Sequence, residues 1–360
     1  MIPIKFDLPT SLNRFEAWWL GEMLDRPPVR FHVAPTRKAD HPAAPPTVRE
    51  RWLNPRFACA ARLAAVSELD WLADSAPIYM PNVGPDVTGT LYGCELEFGE
   101  DTSWSQHPIE SLEDYARVAG LKPDFQNPYW TAIEEMTRLA YAVKPANGTL
   151  VGITDLHGAM DTLVSLRGPA ELCLDLLDDP EAVHAVLKNL VPGIQEAFHR
   201  SYQWQLEKGQ QVCTTWATSL HRGPAYVSSC DFLALISPDM AQEFVRPYLR
   251  QEWSMLKRSL FHLDGPAALR HLDWLLEEDW IQAIQWVYGA GRGPASQWLE
   301  VYRKIRAAGR SIHLLAANPE DALNVVREIG PRGLWIELHD YRFESATVAG
   351  LFLKELQKIV

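Results

Sequence analysis

Residues 259–276, SLFHLDGPAALRHLDWLL, decide how the rest of the chain is read. The apolar run predicts a buried β-strand over 259–264 that delivers His262 and Asp264 to its carboxyl end. Gly265 and Pro266 then turn the backbone into an amphipathic helix. Side chains two apart on a strand share one side of the pleat, so the imidazole and the carboxylate point the same way. Barrels of parallel strands put reactive groups at such ends, where the rim loops can surround a substrate.

Seven more runs of this type precede or follow it: 29–34 (VRFHVA), 77–83 (PIYMPNV), 149–155 (TLVGITD), 211–217 (QVCTTWA), 282–287 (QAIQWV), 311–315 (SIHLL) and 333–338 (GLWIEL). Short apolar runs bounded by turn residues fit strands buried on both faces, as in a parallel sheet. Between them, Asp179-Pro180-Glu181, Ser237-Pro238-Asp239 and Asn318-Pro319-Glu320 each place a capping side chain before a proline at the first helical position. Eight strand–helix units predict an α/β fold, a (β/α)₈ barrel forming one domain over residues 1–360. Such a barrel carries an N-terminal extension, and the proline-rich segment 35–56 and the stretch 84–130 are expected to pass over its mouth. A doubly wound open sheet is the alternative, but no G-x-G-x-x-G follows an early strand. GAGRG at 289–293 lies after the sixth run and reads as a rim loop.

Composition narrows the function classes. A net charge of −12 over 360 residues, with no basic cluster, argues against a nucleic-acid or anionic-membrane partner. No segment offers the ~20 apolar residues that span a bilayer, and the N-terminus has no signal-peptide pattern. Cys59, Cys94, Cys173, Cys213 and Cys230 are odd in number and widely spaced, which fits a reducing, cytoplasmic setting. Of the 14 tryptophans, Trp104, Trp216 and Trp286 sit beside loops or strand ends, where flat rings suit stacking on a sugar or another ring.

The expected strand ends bring many polar groups to one rim. Asp86 follows the second run, and Asp155, His157 and Asp161 follow the third. The fourth brings Trp216, the fifth His262 and Asp264, the sixth Gln285, Trp286 and Tyr288, and the eighth Glu337, His339 and Asp340. Three histidines and several carboxylates in one place point to catalysis. Two chemistries would use them. One is a divalent metal, zinc or another, held by His262, Asp264 and a ligand such as His339, with an open position for substrate. The other is metal-free acid–base work by His262, Asp264, His157 and Glu337, with Asp86, Asp155, Trp216, Gln285, Trp286, Tyr288 and His339 contacting substrate. His221 and His313 read as surface or structural residues.

Four segments, GEMLDRPPV (21–29), ITDLHGAMDTLVSLRGPAELCLDLLDDPEAV (153–183), ISPDMAQEFVRPYL (236–249) and FHLDGP (261–266), together resemble the uroporphyrinogen decarboxylase superfamily. That superfamily includes the haem-pathway decarboxylase and zinc-dependent corrinoid or thiol methyltransferases. The resemblance runs nearly the full length and implies a (β/α)₈ barrel. The arginine-containing motif with which the decarboxylase holds its substrate carboxylates has no counterpart here, so porphyrinogen decarboxylation is not expected. The methyltransferases bind zinc through H-x-C and a later cysteine. Here Asp264 replaces the first cysteine, none follows Cys230, and Glu337 or His339 falls where the last ligand would lie. Such a site is harder than a thiolate one. The resemblance implies methyl transfer on a small molecule, with a corrinoid protein and a second copy of the chain as partners. The rim carboxylates and tryptophans alternatively suit a carbohydrate-directed hydrolase or lyase, and a non-catalytic ligand-binding barrel is the remaining alternative.

Overall fold

Five of the apolar runs become strands of one parallel sheet, which buries most of their apolar side chains. The computed structural model describes residues 5–143 and 148–360. In chain order its strands are β1 (Val29–Val33), β2 (Ile78–Tyr79), β3 (Glu95–Phe98), β4 (Ser103–Gln106), β5 (Leu150–Val151), β6 (Ala225–Ser229), β7 (Arg258–Asp264), β8 (Ala283–Val287), β9 (Ser311–Leu315) and β10 (Leu334–Phe343). Six of them form a curled parallel sheet in the order β1-β10-β9-β8-β7-β6. β2 and β5 pair parallel to each other in a separate two-stranded ladder. β3 and β4 form an antiparallel hairpin inside the 84–130 excursion.

The expected eight-stranded barrel therefore does not appear as one continuous ladder among the described residues. Side chains bridge the two breaks. Between β1 and β2, the Ser75 hydroxyl donates to the Phe31 carbonyl at 2.9 Å and accepts the Phe31 amide at 3.0 Å. Near β5 and β6, the Tyr226 hydroxyl donates to the Thr154 carbonyl at 2.8 Å and accepts the Leu156 amide. Hydroxyls satisfy backbone groups that a ladder would otherwise pair.

One strand assignment is corrected. The run 211–217 is not a strand: Cys213 makes an isolated antiparallel bridge to His221, and Thr218 takes a left-handed φ of 64°. The strand beside β7 is β6, AYVSS, all five residues buried. Inside the sheet the Ser228 hydroxyl lies 2.9 Å from that of Ser259 on β7, so each polar group finds a partner without water.

Helix starts follow the caps. Asp179 accepts the Ala182 amide, Ser237 that of Met240, and Asn318 that of Asp321. The N-terminal helix Leu8–Trp18 packs on residues near the strand starts, with Leu12, Phe15 and Trp18 buried beside Leu260, Ala283 and Trp335. The Trp18 indole donates to the Ile312 carbonyl at 3.1 Å. That end of the sheet is thus filled by apolar side chains, and the polar groups gather at the other. Segment 35–56 packs on the β3–β4 hairpin, where Arg49 donates to the Leu96 carbonyl and Trp52 to that of Gly99. No helix among the described residues is long and apolar enough to cross a membrane.

Candidate active site at the carboxyl ends of the strands

β7 presents His262 and Asp264 at its end, and β6 leads two residues later into Asp231, the first residue of a short 3₁₀ turn (Asp231–Ala234). One ligand-type atom from each of Asp231, His262 and Asp264 lies within 4.8 Å of the other two. Asp231 carries no local mark in the sequence, because the strand before it, AYVSS, lacks the apolar run of its neighbours. Its place is set by Asp161, a buried carboxylate that accepts the amides of Asp231 at 2.9 Å and Phe232 at 3.1 Å. His339 is not among this convergent set.

The loop after β5 adds Asp155 and His157. The His157 Nδ1 lies 3.7 Å from Asp86 Oδ1 and has no hydrogen-bond partner, although it is shielded from solvent. Carboxylates are crowded here, and their protonation responds. Burial and the neighbouring Asp231 charge raise Asp161 to about 6. Burial likewise raises Asp155 and Asp264, with Asp231 adding to both and His262 opposing. His157 feels the reverse: burial would lower it, but the fields of Asp155, Asp161, Asp231 and Asp86 outweigh that and raise it. Trp216 meets the His262 ring edge-on, centroids 5.3 Å apart.

From His262 a row of hydrogen bonds crosses five adjacent strands. Its Nδ1 bonds Gln285 Oε1 on β8, and Gln285 Nε2 reaches His313 Nδ1 on β9 at 2.8 Å. His313 Nε2 meets Glu337 Oε2 on β10 at 2.9 Å, and Glu337 ion-pairs with Arg30 on β1. The register makes this possible, since His262 pairs with Gln285, Gln285 with His313, and Arg30 with Glu337. Although burial works the other way, Arg30 and the hydrogen bonds from His313 and His339 hold the Glu337 carboxyl well below the usual range. Burial keeps His313 low, against Glu337, and its ring lies flat on Trp335, 3.5 Å between centroids.

Some expected rim residues lie elsewhere. Gln285 faces His262, so by strand alternation its neighbour Trp286 faces away; it is fully buried against Trp298, centroids 5.2 Å apart. Trp104 is exposed on β4. Tyr288 donates to the Leu315 carbonyl at 3.0 Å and, with His339, Asp340 and the glycines at 289, 291 and 293, lines a cavity of about 350 Å³ beyond the ends of β8 and β9. His339 Nδ1 is 3.3 Å from Glu337 Oε1. His313 and Arg30, both in the polar row, had no functional mark in the sequence because their partners lie on other strands.

No family model matches the chain, and no curated protein does. Among solved structures it is similar to a methyltransferase from Methanosarcina mazei, with a TM-score of 0.61 and 15% identity, covering 97% of this chain and 98% of that one. At that identity the likeness is one of fold, and it extends along the whole length of both chains.

Proposed function

We propose that this chain is a single-domain enzyme of the uroporphyrinogen decarboxylase-like kind, a methyltransferase acting on a small molecule through a divalent metal at His262, Asp264 and Asp231. The convergence of those three side chains at neighbouring strand ends carries the reading. The donor set of one imidazole and two carboxylates fits a hard or borderline divalent ion. It does not fit a thiol-rich zinc site: no cysteine joins the cluster, and burial pushes the Cys213 thiol up to about 12 and that of Cys230 well above its ordinary value. When bound, the ion would supply Lewis-acid stabilisation of the methyl acceptor. This reading replaces His339 by Asp231 as the third ligand.

The chain's own groups supply the rest. Asp161 positions Asp231 through its loop amides. His157, whose protonated form four neighbouring carboxylates favour against burial, keeps an otherwise unpartnered Nδ1 and can orient or protonate substrate. Trp216 covers one edge of His262 and excludes water there. The full-length likeness in fold to a methyltransferase supports the choice of reaction. A corrinoid protein is the fitting methyl donor and a second copy of the chain a fitting partner. Five unpaired cysteines suit a reducing compartment.

Sugar cleavage between Asp264 and Glu337 has less support. Glu337 is locked as a carboxylate by Arg30 and is no proton donor, and Trp286 lies out of reach of a sugar face. The test is metal analysis of protein purified with Zn²⁺, Mn²⁺ or Fe²⁺ present, followed by methyl transfer assays with a methylcorrinoid and simple thiols or amines. Stoichiometric metal with methyl transfer, both lost in Asp264→Asn, is the expected result. No metal uptake and no transfer with any pair would overturn the proposal, and sugar turnover or binding alone would favour the rival readings.

A further inference from the structure

The row that ends on His262 has a direction, and that direction follows from donor and acceptor counting. Arg30 has only donors, so the Glu337 oxygen facing it must accept. The other Glu337 oxygen faces His313 Nε2, which must carry the hydrogen. A neutral His313 then offers a lone pair at Nδ1, and only the amide nitrogen of Gln285 can satisfy it. This turns the Gln285 carbonyl oxygen toward His262, whose Nδ1 must donate. The opposite polarity would need a protonated His313, which burial in the sheet opposes.

We propose that Arg30, Glu337, His313 and Gln285 are positioning residues that hold His262 as its Nδ1–H tautomer, leaving Nε2 as the lone pair not engaged by the row. The functional importance of that lone pair rests on the metal reading above, but the tautomer itself does not. A free neutral imidazole prefers the hydrogen on Nε2, so the row holds the ring in the form that a ligand or base needs. An outer partner that fixes a ligating histidine in this way is worth about 10–100-fold in metal affinity.

The row also predicts a reversal. In Glu337→Gln the new amide must still present its oxygen to Arg30, so its NH₂ faces His313 Nε2. His313 then carries its hydrogen on Nδ1, Gln285 turns over, and its NH₂ faces His262 Nδ1. The His262 hydrogen moves to Nε2, three hydrogen bonds away from the substitution. No residue that touches the cluster has been altered.

The experiment is long-range ¹⁵N–¹H correlation NMR on metal-free protein with labelled histidines, using His262→Gln to assign the signal. Wild type should show the Nδ1–H tautomer and Glu337→Gln the Nε2–H tautomer. If Glu337→Gln fails to fold, Gln285→Met cuts the row in the middle without touching the ion pair. It should likewise return His262 toward Nε2–H. Zn²⁺ titration should show a loss of about 10–100-fold in affinity in the same variants. An Nε2–H wild-type ring, or a tautomer unmoved by the variants, would overturn the proposal. The expected tautomers without Zn²⁺ uptake by any variant would support the row and sink the metal reading instead.

Discussion

Glu337 and Asp161 are both buried carboxylates near the same rim, yet their environments drive them in opposite directions. Glu337 has a guanidinium on one oxygen and an imidazole on the other and is held well below the usual range. Asp161 has only backbone amides and sits near Asp231, and it is raised to about 6. The β8–β1 side of the rim is thus charge-compensated within the protein, whereas the β5–β7 side keeps Asp86, Asp155, Asp231 and Asp264 with two histidines between them. Compensated charge makes a rigid scaffold. Crowded carboxylates repel one another, and that repulsion raises Asp155, Asp161 and Asp264.

The sharpest way to break this contrast is to unbalance the compensated side. Arg30→Met leaves Glu337 buried with His313 as its main partner, and should cost about 3 kcal/mol of stability in chemical denaturation. A change below ~1 kcal/mol would mean that the row is not the scaffold described. Asp264→Asn acts on the other side. It relieves repulsion from Asp231, so stability should hold or rise while activity falls about 100-fold or more. Equal loss of stability and activity would remove the distinction between the two regions.

The most gradual effect is a slope in pH. Glu252 is fully buried behind the Asp155–His157 loop, accepts the Ala159 amide through Oε2, and is raised by burial to about 8. Its folded form binds a proton that the unfolded chain has already lost, so stability falls as pH rises from the ordinary carboxyl range to about 8. The slope from this one group is at most ~1.4 kcal/mol per pH unit. Glu252→Gln keeps the amide contact and removes the titration. Melting temperatures of the variant should flatten across pH 5–8, and a slope identical to wild type would show that Glu252 is already charged when folded.

How much of this was readable varies by element. β7, β8 and β9 were legible because short, largely apolar runs bounded by turn residues have few other places to go than a doubly buried sheet. β6 was not, because Ser228 and Ser229 resemble turn residues until Ser259 is seen opposite. Its loss hid Asp231, which no local pattern announces. Trp286 illustrates a different miss. Period-two alternation lets only one of Gln285 and Trp286 face the rim, and the sheet register gave that place to glutamine.

The sequence by itself determined the parallel α/β character, the helix starts and the delivery of His262 and Asp264 to one strand end. These are local matters: periodicity, capping and the alternation of a pleat act over a few residues. Only the tertiary structure decided that Asp231 completes their cluster, that His313 belongs to a row running from Arg30 to His262, and that the eight parallel strands divide into ladders of six and two. Strand register and side-chain bridging depend on residues 23 to 307 positions apart, as from His262 to Gln285 and from Arg30 to Glu337, and no local pattern carries that information.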